Sequence, residues 1–177
     1  MHPPKANFEA AMRAIPDGSP VVFAFGEIDC REGLLIAIER ARYKSLEEAI
    51  ATVVANPNPN PNPNPNPNPN PNPNPNPNPN PNQVAIYVAR LASLASSRSF
   101  RVLVHPVPPV LDATRHIVKL FNASLRKAVQ AKPSLHWLDF FDGLLSPDGE
   151  ALADGLALDG THLHPSYVSL LEAALPQ

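Results

Sequence analysis

Cysteine is almost missing from this 177-residue chain, where Cys30 stands alone. No intrachain disulfide can form, and a zinc site built on a C-x-x-C pair is excluded. A charge excess of either sign is missing too: fourteen basic and sixteen acidic residues leave a net charge of -2, spread along the chain. That gives neither the basic footprint of a nucleic-acid binder nor a polybasic membrane patch. No apolar run approaches the ~20 residues needed to span a bilayer. The start, "MHPPKANFEAAMRAIPDG", lacks the apolar centre of a secretory signal. These absences lead to the expectation of a soluble, cytoplasmic protein with no cofactor, no metal, no nucleic-acid partner and no membrane partner.

Proline and asparagine are abundant, in an unbroken Asn-Pro alternation from Asn56 to Asn82. Proline fixes φ and has no N–H, and each Asn before it is pushed away from the α region. Neither a helix nor a sheet ladder can form, so a disordered, polyproline-II-like segment is expected. The repeat holds no charge, aromatic ring or metal-binding group. Its flanks are "SLEEAIATVVA", where Ser45 and Glu48 have capping-box spacing, and "QVAIYVARLASLASS". Joined across the repeat, their apolar positions run Leu46, Ile50, Val53, Val84, Tyr87/Val88, Leu91, Leu94 in steps of three or four. That is one amphipathic helix split by a low-complexity insert at 56–82. A rival reading makes the repeat itself a surface that a partner recognises.

Outside the insert, apolar strands alternate with helical segments, and residues 1–177 read as one domain. "FEAAMRAI" is a leading helix. "PVVFAFG" (Pro20 to Gly26) is a strand covered on both faces, and the split helix follows it. "FRVLVHPVPP" is a strand ending at prolines. "DATRHIVKLFNASLRKAVQA" is a helix with Ile117, Leu120, Phe121, Leu125 and Val129 on one side. "LHWLDFF" is a third strand, and "PSYVSLLEAAL" a closing helix with Pro165 in its first turn. This order predicts an α/β fold with a parallel sheet, whose chemistry gathers at the carboxyl ends of the strands. Those ends are "GEIDCREG", "HPVPP" and "DFFDG", joined by the late loop "ALDGTHLHP".

Taken in order, "VVFAFGEID", "VLVHPVPP" and "LDGTHLHPSY" resemble the SGNH (GDSL-type) hydrolase family. The first is similar to the strand leading to that family's G-x-N-D block, and the last to its D-x-x-H block before the final helix. The resemblance implies a three-layer, flavodoxin-like parallel sheet and esterase or deacetylase chemistry on a small ester or an acylated carbohydrate. It implies His162 as the catalytic base and Asp159 as its orienting acid. Gly26, Glu27, Asp29 and Arg31 would line a polar substrate mouth. His105 is expected on the pocket rim, and His164 exposed or as a cap partner.

The chain also departs from the family. It has no G-D-S nucleophile block and no second block with its oxyanion-hole glycine. Ile28 stands where an Asn would donate to the oxyanion. The expectation is a domain incomplete at its N-terminus and inactive as a serine esterase. Without the family's first strand, Val21–Gly26 would be a free sheet edge inviting self-association. Cys30 as a substitute nucleophile and chelation by Asp159, His162 and His164 are the minor alternatives. A non-catalytic glycan-binding module and an interaction protein acting through the repeat are the other functional classes.

Overall fold

The structure is a computed structural model and describes residues 4–26, 30, 45 and 83–176. Three short strands, β1 (Pro20–Ala24), β2 (Arg101–His105) and β3 (Leu135–Trp137), form a parallel sheet in the order β1-β2-β3. Helix α1 (Pro4–Ala14) precedes β1, α2 (Gln83–Arg98) leads into β2, α3 (Arg115–Gln130) joins β2 to β3, and α4 (Val168–Ala173) follows the late loop. The fold is mixed α/β, as the alternation predicts. Val22 lies opposite Leu103, and Leu103 opposite His136.

Strand β2 is central, and its residues 102–105 are all buried. Successive side chains alternate between faces. Val102 and Val104 therefore join the main core with Leu91 of α2 and Ile117, Phe121 and Leu125 of α3. Leu103 joins a second cluster with Leu138, Phe140, Leu144 and Leu156. Burial on both faces accounts for the uninterrupted apolar run of β2. β1 departs from the same expectation. Phe23 is buried in the main core, but its neighbour Val22 is 43% exposed. The C-terminal segment that covers Leu103 leaves Val22, its register partner, open.

Helix α2 buries Val84, Val88, Leu91 and Leu94, with Tyr87 half-buried, which is the second half of the stripe read from the sequence. Its first half, from Leu46 to Val53, lies outside the described residues, as do Glu48 and the repeat. At the end of α2, Arg98 turns back onto α1. Its guanidinium donates to the Met12 and Ile15 carbonyls at 3.0 and 2.8 Å and pairs with Asp17. Carbonyls at a helix end have no partner inside the helix, so this arginine locks α1 to the sheet's amino edge.

Helix α3 buries Ile117, Phe121, Leu125 and Val129 as expected, but Leu120 is exposed and Val118 is buried instead. The buried arc is centred near Leu125. Leu120, five residues earlier, falls about 140° from that centre at 100° per residue. Asn122 falls inside the arc, and its role becomes clear at the end of β2.

Candidate functional site

After His105 the chain reads Pro106-Val107-Pro108-Pro109. Prolines have no N–H to extend a ladder, so pairing ends here. The Val107 backbone is satisfied by a side chain: its N–H donates to Asn122 Oδ1 at 2.8 Å, and Asn122 Nδ2 donates to its carbonyl at 2.9 Å. Buried Asn122 thus imitates the strand partner that the prolines exclude. Arg115, also buried, donates to the carbonyls of Pro109 and Glu150 and pairs with Asp112. Together the two side chains hold the proline loop against the start of α3. Just past the neighbouring strand β1, Gly26 has φ +102, and a Cβ there would stand 2.6 Å from the buried Phe121 ring. Only glycine fits that approach.

The late loop is a narrow reversal. The Leu158 N–H donates to the His162 carbonyl at 3.0 Å, and the His164 N–H to the Leu156 carbonyl at 2.8 Å. Leu156 and Leu163 anchor it on the second cluster. At its tip, Asp159 Oδ1 accepts the backbone N–H groups of Thr161 (2.7 Å) and His162 (2.8 Å) and the Thr161 hydroxyl (3.0 Å). The same carboxylate receives the imidazole: His162 Nδ1 lies 2.8 Å from Asp159 Oδ2. One acid therefore shapes the turn and fixes the ring. Beyond it, His164 Nδ1 accepts from the Ser166 N–H and caps the short 3-10 turn Pro165–Tyr167, the cap role read from the sequence.

The hydrogen bond from His162, followed by those of Thr161, holds the Asp159 carboxyl well below the usual carboxylate range. An ionised carboxylate only accepts, so Nδ1 carries the proton. Among the described residues, all the side-chain hydrogen bonds of His162 use Nδ1, which leaves Nε2 open. The pair is accessible, with side-chain exposures of 70% for His162 and 52% for Asp159.

His105 is different. The sequence reading set it on the rim, but it is 5% exposed, edge-on to Phe140 (4.9 Å between centroids) and Tyr167 (5.9 Å). The reason is β2 itself, buried on both faces to its last residue. Burial pushes the His105 imidazole below the usual histidine range, against a smaller upward pull from the Pro106 carbonyl.

Between the proline loop and the late loop lies a cavity of about 410 Å³. Ala24 borders it from β1. Val107, Pro108, Val110 and Leu111 border it from the proline loop, and Thr114 and Val118 from the start of α3. Thr161, His162, Leu163 and Tyr167 close it from the late loop. His162 thus opens onto a mostly apolar cavity at the carboxyl end of the sheet. Gly26 packs behind it, against Phe121 and Val107. Glu27, Asp29, Arg31 and Ile28 lie outside the described residues. Cys30 is fully buried within the main core. A thiol placed there is shielded from substrate, so the Cys-His-Asp alternative is set aside.

Thr114, Val118 and Tyr167 were not legible as site residues. Thr114 and Val118 sit four apart at the head of a helix, and Tyr167 follows the D-x-x-H segment within one turn. Only the late loop's return over the sheet brings them together. Among the described residues, no cluster of three His, Cys, Asp or Glu side chains is arranged to hold a metal ion. No helix among them is long and apolar enough to cross a membrane. Comparison with protein-family models, with curated proteins and with solved structures finds no match.

Proposed function

We propose that this chain is an SGNH-hydrolase-like domain of flavodoxin-like architecture, with His162 as the base and Asp159 as its orienting carboxylate. The parent reaction is hydrolysis of a small ester or of an acyl group carried by a carbohydrate. One observation carries the reading: a carboxylate-held imidazole with its Nε2 free, opening onto a cavity at the carboxyl ends of parallel strands. That is the base and its orienting acid of the arrangement acyl transfer requires.

In the parent reaction a hydroxyl oxygen attacks the ester carbonyl carbon while its proton passes to His162 Nε2. Collapse of the tetrahedral intermediate breaks the ester C–O bond, and the imidazolium returns that proton to the leaving alcohol. Asp159 stays ionised throughout and stabilises the cation. This chain contains no G-D-S block, so water is the attacking hydroxyl proposed for it, and slow turnover at most is expected.

The experiment is direct. Fluorophosphonate probes leave the chain unlabelled; labelling that disappears in His162→Ala would show a serine nucleophile after all. Hydrolysis of p-nitrophenyl butyrate is slow but saturable, and falls about a hundredfold or more, to background, in His162→Ala. Unchanged turnover in that variant sinks the assignment of His162. A second reading, a non-catalytic binding module, is favoured by one observation. No hydroxyl or thiol among the described residues bonds His162 Nε2. Ligand binding without any His162-dependent turnover would select it.

A further inference from the structure

The cavity beside His162 carries more information than the histidine alone. Its floor is aliphatic: Val107, Val110, Leu111 and Val118 face it, and among the described residues no acidic or basic side chain other than His162 lines it. One buried polar group does. Thr114 is 6% exposed and occupies the N-cap position of α3, where a threonine ordinarily bonds its own helix. Here the side chain makes no such bond. Its hydroxyl is therefore available as a donor and acceptor beside an apolar floor.

We propose that this cavity seats the uncharged aliphatic acyl group of the substrate, with the Thr114 hydroxyl donating to a carbonyl oxygen. The proposal rests on the hydrolase-like reading of the Asp159–His162 pair and names the part of the substrate that enters. A sugar ring is disfavoured against this floor. Its several hydroxyls would be stripped of water against Val107, Val110 and Val118 with too few partners to replace it. An acetyl group would leave most of about 410 Å³ empty. The volume falls within the range of small-molecule sites, roughly 300–1,000 Å³. A fatty-acid carboxylate is disfavoured as well, since no Lys or Arg among the described residues lines the cavity to meet it. Any carbohydrate part of the substrate must therefore stay outside, with its acyl chain inside.

The test uses the full chain and unreactive acyl probes: acetamide, butyramide and hexanamide, followed by the amide NMR shifts of Thr114 and Val118. Affinity is expected to rise roughly fourfold per added methylene. Methyl glucoside should leave those signals in place, and hexanoate should bind more weakly than hexanamide. Thr114→Val, which keeps the shape and removes the hydroxyl, weakens every amide by the same factor, roughly 2–10-fold, and preserves the chain-length slope. Val118→Phe fills the floor and flattens the slope. If that variant fails to fold, Leu111→Trp, on the half-buried loop, serves the same purpose.

Equal affinity along the amide series, or methyl glucoside shifting Thr114 and Val118 as hexanamide does, would overturn the proposal. Its failure is separable from that of the hydrolase reading. A chain-length slope without His162-dependent hydrolysis keeps the acyl seat and removes the reaction. His162-dependent hydrolysis without a slope does the reverse.

Discussion

His105 and His162 stand at the same end of the sheet in opposite surroundings. His105 closes a central strand, is walled by Phe140 and Tyr167, and has no carboxylate among its contacts with the described residues. His162 rides on a loop tip, mostly exposed, with Asp159 on one nitrogen and the other open. The first is kept neutral by burial, whereas the second has a carboxylate to back the cation that forms when it accepts a proton. The contrast extends to their regions. The proline loop and α3 form an interior wall, where polar groups such as Asn122 are satisfied inside the protein. The late loop is an outer wall, where the polar groups meet solvent. Stability should therefore reside in the first region and chemistry in the second.

Substitutions can break that division. The largest effect is expected for Asn122→Ala. It strands the buried Val107 N–H and carbonyl and should cost about 2–5 kcal/mol in denaturant unfolding. A cost below ~1 kcal/mol would mean that the mimicry of a strand partner is not what holds the loop. Gly26→Ala comes next. A Cβ at φ +102 meets the Phe121 ring, which is buried and cannot retreat, for about 2–4 kcal/mol.

The third effect is a pH dependence. His105 has a folded-state pKa lowered by burial, so the unfolded chain binds more protons as pH falls below about 6.5. Stability should therefore decline on acidification from that point. Thermal midpoints of His105→Phe should lack the decline; parallel pH profiles for both proteins would count against it. The smallest effect on stability belongs to the outer wall. Asp159→Asn should change the midpoint little at neutral pH. Because the Asp159 pKa is depressed, the small difference from the parent is present above about pH 3.9 and disappears as pH falls through the lower folded-state value. The same variant should nonetheless sharply reduce any His162-dependent turnover, since the ring loses the acceptor that fixes its tautomer.

Much of the architecture was legible because it rests on local chemistry. The runs "PVVFA", "RVLVH" and "LHW" are strands, the α3 stripe buries all but one of its expected positions, and the prolines after His105 stop β2. The Asp159–His162 pair was indicated by the resemblance of "LDGTHLHPSY", and the turn places the carboxylate on both its own N–H groups and the ring. The errors share a cause. Val22, Leu120 and His105 were misplaced because their exposure depends on which segment arrives over them. Periodicity identifies a face and does not say what covers it.

The sequence by itself determined the single cysteine, the balanced charge, the helix-breaking Asn-Pro run and the three-residue spacing of Asp159 and His162. Each follows from composition or from groups within a few bonds of one another. Only the tertiary structure decided that His105 is interior and His162 open, that Asn122 replaces a strand partner, and that Thr114 borders the same cavity as a histidine 48 residues away in sequence. The physical reason is burial, which no residue sets alone. It is the sum of what the sheet, α3 and the returning late loop bring to one place.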